Sequence, residues 1–260
     1  MRYLCFGAGA IGTYIGGSLL MHGEEVIFLE KPIYLEDLRR NGLSLEIQGK
    51  IHSLQDIQVV DSLDDALMIG PYDAAIFAVK SFDTKKAVEE IKPYRVALPP
   101  FICLQNGVEN EALLATVIGK ENVIAGTVTS AVARKNPGQI TLERLRGVGI
   151  SSHHVLSERI LASFKQAGLQ PKLYNRPDSM KWSKMLTNIL ANASSAILDL
   201  TPQEVYRHPE LYRLELRMIE EILHVMKALN IPVTALPGTP VNWLVWVARN
   251  LPSWASQPIL

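Results

Sequence analysis

The sequence predicts an α/β fold with a doubly wound, mostly parallel sheet at residues 1–176, followed by an all-α domain at residues 177–260. Two observations lead to this prediction. The first part alternates short β-rich runs with amphipathic helical stretches, the pattern of a parallel sheet covered by helices on both faces. After Asn175-Arg176-Pro177 the chain consists of helical stretches separated by prolines, so the domain boundary is expected near Pro177.

The individual elements follow from this alternation. Strands are predicted at 2–6, 25–29, 74–79 and 101–104, and helices near 11–22, 34–40, 84–91 and 111–118. Residues 43–60 hold Gly49 between two β-rich runs, which predicts a hairpin, and residues 127–150 are strand-like again. A helix at 157–167 and a strand at 172–174 complete the first domain, and helices at 180–196, 209–229 and 240–250 form the second.

Composition narrows the possible partners. Lys plus Arg and Asp plus Glu both number 26, so the net charge gives no reason to expect nucleic acid or an anionic membrane as partner. Cys5 and Cys103 lie in apolar runs and are expected to be buried thiols. Because Met1 leads directly into a predicted strand without a basic and then apolar leader, a cytoplasmic location is expected. The apolar stretch 241–248 is too short to cross a bilayer.

A glycine-rich hexapeptide is the strongest local signal. Gly7-Ala8-Gly9-Ala10-Ile11-Gly12 directly follows the first predicted strand and opens a helix. In this context Gly7 permits the turn, Gly9 lets the backbone approach a pyrophosphate, and Gly12 allows close packing of helix on strand. The free N–H groups of the helix start then favour phosphate. The sequence therefore predicts a dinucleotide-binding Rossmann domain, the alternative being a glycine-rich turn that binds no nucleotide.

The end of the second strand bears on which dinucleotide is bound. Glu30-Lys31 stands where a Rossmann site presents an acid to the ribose hydroxyls or a base to a 2′-phosphate. Glu30 directed at the ribose favours NAD, whereas Lys31 directed at the phosphate favours NADP. A third possibility is that both side chains are simply solvated at a strand end.

A second group of polar residues predicts catalytic chemistry. Lys184, Asn188 and Asn192 recur every four residues and share one face of the predicted helix 180–196. An ammonium can stabilise and protonate the alkoxide that forms when hydride reaches a ketone, and carboxamides can orient a 2-keto acid. An exposed polar face is the alternative interpretation. Lys80 and Gln105-Asn106-Gly107 follow two further strands, at the sheet edge where open α/β sheets bind ligands.

Two histidines and three tryptophans indicate no cofactor or metal site. His153-His154 have no further ligand at metal-binding spacing, so no metal site is predicted. The tryptophans are expected to pack between helices or to form a self-association surface: Trp243, Trp246 and Trp254.

Taken together, these motifs resemble the ketopantoate reductases. The resemblance rests on Gly7-Ala8-Gly9-Ala10-Ile11-Gly12, Lys80, Leu104-Gln105-Asn106-Gly107-Val108, and Lys184-Met185-Leu186-Thr187-Asn188 with Asn192. It implies reduction of 2-dehydropantoate to pantoate by NADPH, in the synthesis of pantothenate and coenzyme A. It also implies a Rossmann domain followed by a helical substrate and dimerisation domain, with the substrate in the cleft and a homodimer as the assembly.

The resemblance also implies roles for individual residues. Lys184 matches the general acid, and Lys80 matches a lysine that lies near the cofactor and the substrate. Three asparagines match residues that hold the cofactor amide and the substrate: Asn106, Asn188 and Asn192. Lys31 stands where the family usually has an arginine for the 2′-phosphate, beside Glu30, so NADP is expected with NAD possible. The family's C-terminal Ser and Glu have no convincing match before Leu260, so the helical domain is expected to be short there. Reduction of another 2-keto acid and nucleotide binding without turnover are the alternatives.

Overall fold

A computed structural model of the chain describes residues 1–252, 256 and 257, and the chain divides into two units, Met1–Pro177 and Asp178–Leu260. The strands of the first unit are β1 (Arg2–Phe6), β2 (Glu25–Leu29), β3 (Leu43–Ile47), β4 (Lys50–Leu54), β5 (Gln58–Val60), β6 (Ala74–Phe77), β7 (Phe101–Cys103), β8 (Val123–Val128), β9 (Ala131–Asn136), β10 (Gln139–Arg144), β11 (Val148–Ser151) and β12 (Pro171–Tyr174). Its helices are α1 (Ala10–Met21), α2 (Pro32–Asn41), α3 (Leu63–Ile69), α4 (Thr84–Ile91), α5 (Asn110–Ile118) and α6 (Ser157–Gln166).

The main sheet has eight strands in the order β12-β11-β8-β7-β6-β1-β2-β5. The six strands from β8 to β5 are parallel, whereas β11 runs antiparallel to β8 and β12 parallel to β11. From β1 the chain builds outward first through β2 and β5, and then through β6, β7 and β8 on the other side. This order confirms the predicted doubly wound, mostly parallel sheet, and it makes β1 the point at which the winding reverses.

A smaller sheet with the order β4-β3-β10-β9 contains the predicted hairpin. β3 and β4 pair antiparallel from Leu43 opposite Leu54 to Ile47 opposite Lys50. Gln48 and Gly49 connect them with φ angles of 51° and 76°, which matches the positive φ that a tight two-residue hairpin turn requires.

Residues of β1 alternate between two hydrophobic clusters, so both faces of the main sheet are covered. Tyr3 and Cys5 belong to one cluster, and Leu4 and Phe6 to the other. Both cysteines are free and buried, and burial raises the pKa of the Cys5 thiol far above its usual value. A side chain at Gly16 would meet the Phe28 ring, with 2.7 Å to its nearest atom, so this glycine lets α1 lie close against β2.

The second unit is helical. Its helices are α7 (Pro177–Ile189), α8 (Asn192–Leu198), α9 (Pro202–Arg207), α10 (Pro209–Ala228) and α11 (Val241–Asn250). The first residue of α7, Pro177, is the last residue of the first unit. α10 buries a stripe of Tyr212, Ile219, Leu223 and Met226, the spacing of an amphipathic helix. Among the described residues, no helix is both long and apolar enough to cross a membrane.

The predicted helix 180–196 is not continuous. It ends at Ile189 and resumes at Asn192, because Ala191 adopts a left-handed conformation with φ of 57°. A left-handed non-glycine residue is uncommon and interrupts the ladder of helical hydrogen bonds. The prediction of one helix through all three polar residues is therefore wrong.

Candidate active site

The glycine-rich loop is built as a cradle between β1 and α1. Gly7 leaves β1 with a φ of 92°, and its N–H donates to Leu29 O at 2.9 Å. A Cβ on Gly12 would lie 1.8 Å from Gly7 O, so the helix can approach the loop only with glycine here. A Cβ on Gly9 would meet no atom within 4 Å. The loop is thus tightly packed on the side of Gly12 and open at Gly9, which fits a site for a pyrophosphate.

Two alanine substitutions test whether Gly12 is needed for packing and Gly9 for ligand binding. Gly12→Ala is expected to destabilise the protein by about 1–3 kcal/mol, because its methyl group overlaps backbone that cannot move freely. Gly9→Ala is expected to change the free energy of unfolding by less than about 1 kcal/mol, the scale of an N-cap change. It is nevertheless expected to weaken dinucleotide binding, because its methyl group would fill the open side of the loop. Urea unfolding and ligand titration measure the two effects, and an unstable Gly9→Ala with normal binding would contradict this interpretation.

Glu30 and Lys31 have different environments. The Ala8 N–H donates to Glu30 Oε2 at 2.6 Å, and the Lys31 N–H donates to Glu30 Oε1 at 2.8 Å. The Lys31 side chain is exposed, and its Nζ lies 3.9 Å from Asp83 Oδ2. The acid therefore lies at the glycine-rich loop, and the base lies at the start of α2.

Lys80 and Asn106 are both exposed and follow β6 and β7. β6 pairs parallel with β1, and β7 pairs parallel with β6, so the carboxyl ends of both strands lie at the same edge of the sheet as the glycine-rich loop. The structure thus brings four predicted positions to one edge of the first unit: the loop Gly7–Gly12 with its Ala8, Gly9, Ala10 and Ile11, together with Glu30, Lys80 and Asn106.

A buried polar network that the sequence analysis did not identify holds these loops. Gln105 is 4% exposed, and its Nε2 donates to Val79 O at 2.9 Å and to Thr84 Oγ1 at 2.7 Å. Thr84 Oγ1 donates to Asn110 Oδ1 at 3.1 Å, and Asn110 Nδ2 donates to Asn106 O at 2.8 Å. Because buried polar groups cost free energy unless they are paired, this network fixes the chain on either side of Lys80 and Asn106. Gln105 next to Asn106 was the available signal.

The helical unit holds the other predicted residues. Lys184 and Asn188 are both partly exposed and stand one turn apart on α7, so their side chains share a face. Asn192, which is exposed, is the first residue of α8, and its Nδ2 donates to Asn188 O at 2.6 Å. It therefore caps the end of α7 instead of continuing the stripe on one helix.

A buried carboxylate stabilises the interruption between α7 and α8. Glu215 of α10 has no exposed surface, and its Oε2 accepts the Ala191 N–H at 2.7 Å. Its Oε1 accepts the hydroxyl of Ser194, which is also buried. A carboxylate that accepts backbone and hydroxyl donors at a helix N-terminus satisfies groups that the helix itself leaves unpaired. The sequence analysis did not identify Glu215.

No cluster of three or more His, Cys, Asp or Glu side chains suited to a metal ion occurs within residues 1–252, 256 and 257.

Trp243 and Trp246 of α11 are about half exposed, at 48% and 54%, and Trp254 lies outside the described residues.

Comparison with known proteins matches both units. The family described as "Ketopantoate reductase PanE/ApbA" matches residues 3–153, and its C-terminal family matches residues 178–250. A 2-dehydropantoate 2-reductase from Halobacterium salinarum is 27% identical over 90% of this chain and 78% of its own length. One from Pyrococcus horikoshii is 25% identical over 85% of this chain and 72% of its own. The crystal structure of a PanE/ApbA family ketopantoate reductase from Ralstonia eutropha JMP134 superposes with a TM-score of 0.81 at 27% identity, covering 95% and 79% of the two chains.

Proposed function

Because the chain belongs to the ketopantoate reductase family, we propose that it reduces 2-dehydropantoate to pantoate, with Lys184 as the general acid. The family makes the chain an NAD(P)-dependent oxidoreductase acting on a CH–OH group. The proposal gives residues 1–176 the dinucleotide and residues 177–260 the substrate-protonating residues. The family resemblance further implies a place for this reaction in the synthesis of pantothenate and coenzyme A.

The observation that carries the proposal is the pair Lys184 and Asn188, one turn apart on α7 in a region that the C-terminal family covers. The bound dinucleotide supplies the hydride. As the new C–H bond forms at the keto carbon, the π electrons of the C=O bond move to oxygen. Lys184 Nζ gives that oxygen a proton and becomes a neutral amine, so the developing negative charge is removed as it forms.

Carboxamides suit the remaining task of orientation. Asn188, Asn192 and Asn106 donate and accept hydrogen bonds without changing charge, so they can hold a 2-keto acid and the cofactor amide near neutral pH. Lys80 is assigned to the carboxylate of the substrate or to the cofactor, because it is an exposed cation at the sheet edge next to the glycine-rich loop. The glycine-rich loop and the start of α1 are assigned to the pyrophosphate.

Two points of the proposal concern partners. For the cofactor, the resemblance implies NADPH with Lys31 near the 2′-phosphate, and Glu30 keeps NADH open. For assembly, the resemblance implies a homodimer through the helical unit, which the half-exposed Trp243 and Trp246 support.

The reaction is tested by incubating the protein with 2-dehydropantoate and following oxidation of NADH and NADPH in parallel. A panel of 2-keto acids with smaller and larger side chains serves as the control for specificity. We expect the highest kcat/KM for 2-dehydropantoate. A higher value for another keto acid would assign a different substrate, and dinucleotide binding without any turnover would favour a binding protein.

A further inference from the structure

Glu30 is held at the edge of the dinucleotide site by three hydrogen bonds. Its Oε2 accepts the N–H of Ala8, within the glycine-rich loop, and its Oε1 accepts the N–H of Lys31. Its own N–H donates to Val60 O of β5 at 3.0 Å. The carboxylate is therefore fixed between the loop and the start of α2, and it can leave this position only by giving up two charge-assisted bonds.

Lys31 is the less constrained of the two. Its side chain is 66% exposed, and the described contact of its ammonium is with Asp83 at 3.9 Å, where the carboxylate is itself 37% exposed. A solvated ion pair of this kind is weak and is screened by salt. Lys31 thus brings a solvated positive charge near a second carboxylate, whereas Glu30 brings a hydrogen-bonded negative charge directly beside the loop.

This arrangement discriminates between the two dinucleotides. A carboxylate at the end of the second strand accepts hydrogen bonds from the ribose hydroxyls of NADH. A 2′-phosphate offers no such donor and carries roughly 1.5 to 2 negative charges near neutral pH, by analogy with other phosphate monoesters. Like charges a few ångströms apart repel, and the fixed position of Glu30 prevents it from turning away.

We infer that Glu30 makes the chain prefer NADH over NADPH, which reverses the preference that the family resemblance implies. The inference rests on the proposed function for the choice of ligand, but it concerns only the binding of the adenosine ribose. It makes Glu30 the specificity-determining residue and gives Lys31 a minor part.

The test compares four proteins by titration with NADH and NADPH in the absence of substrate, using the fluorescence of the reduced nicotinamide. They are the wild type, Glu30→Gln, Glu30→Asp and Lys31→Gln. We expect the wild type to bind NADH about tenfold or more tightly than NADPH, and Glu30→Gln to reduce that ratio by about tenfold, which corresponds to about 1.4 kcal/mol. The change should come mainly from tighter binding of NADPH.

The other two variants are controls for charge and for fold. Glu30→Asp keeps the negative charge, so it should keep the preference for NADH even if both ligands bind less tightly. Lys31→Gln should leave the ratio within about threefold, since a rim charge of this kind contributes little. Thermal unfolding of each variant establishes that the protein is folded.

The inference is overturned if the wild type prefers NADPH, if Glu30→Gln leaves the ratio unchanged, or if Lys31→Gln selectively weakens NADPH by tenfold or more. These outcomes are separate from those of the reaction assay. Tight binding of NADH without turnover of any keto acid would leave the inference standing and defeat the proposed reductase function. Turnover of 2-dehydropantoate with a preference for NADPH would do the opposite.

Discussion

Replacing Lys184 with alanine is expected to lower kcat for keto-acid reduction by about 100- to 10,000-fold, the usual contribution of a positioned general acid. The variant loses both the proton and the positive charge that stabilises the developing alkoxide, so the loss falls mainly on kcat. Dinucleotide binding should stay within about threefold of the wild type, because the glycine-rich loop, Glu30 and Lys31 belong to the other unit.

A matched lysine provides the control for this experiment. Lys227, in the last turn of α10, is exposed and belongs to the same unit as Lys184. Lys227→Ala should retain full activity, which separates the loss of one ammonium at the site from a general loss of charge. If Lys184→Ala keeps kcat within about threefold of the wild type, Lys184 is not the general acid.

Replacing Glu215 with alanine is expected to destabilise the protein by about 2–6 kcal/mol, because two buried donors lose their acceptor. The variant leaves the Ala191 N–H and the Ser194 hydroxyl without their acceptor in a buried site, and each orphaned donor costs about 1–3 kcal/mol. The left-handed conformation of Ala191 would also lose a contact that holds it.

Urea unfolding measures this effect, with two comparisons on the same helix. Glu215→Gln keeps one acceptor oxygen and should cost less than the alanine variant. Glu220, exposed five residues further along α10, is the matched surface residue, and Glu220→Ala should change the free energy of unfolding by no more than about 0.5 kcal/mol. Equal effects of the Glu215→Ala and Glu220→Ala variants would show that Glu215 does not hold the interruption between α7 and α8.

The sheet and the glycine-rich loop could be predicted because their signals are local. β1, β2, β6 and β7 are short, mostly apolar runs, and the spacing of Gly7, Gly9 and Gly12 is typical of the strand-to-helix turn of a Rossmann domain. The resemblance to the ketopantoate reductases, drawn from these motifs and from the helix of Lys184, is confirmed by the family that matches both units.

The interruption after α7 could not be predicted in this way. Residues 189–192, Ile-Leu-Ala-Asn, contain neither glycine nor proline, so the apolar spacing favours one continuous helix. The break is stabilised by Glu215, which is distant in sequence and contributes through tertiary contacts. Tertiary contacts of this kind routinely override local helix propensity.

The orientation of the Glu30 and Lys31 side chains could not be predicted from the sequence either. The sequence shows an acid and a base side by side after β2, and either could face the ribose. Only the folded chain shows which of them contacts the loop, because the hydrogen bond from Ala8 to Glu30 joins residues that follow two different strands. Gln105 is similar, since it donates to Val79 in the loop after β6 and to Thr84 at the start of α4, both distant from it in sequence.

The most direct test of the proposed reaction is transfer of the hydride itself. The protein is incubated with 2-dehydropantoate and with a reduced dinucleotide that carries deuterium at both positions of C4 of the nicotinamide, and the product is analysed by mass spectrometry and NMR. We predict pantoate that carries one deuterium at C2, formed by the wild type at least about 100 times faster than by Lys184→Ala. No labelled pantoate from the wild type, while it binds the dinucleotide, would contradict the assignment of this chain as a ketopantoate-reducing enzyme.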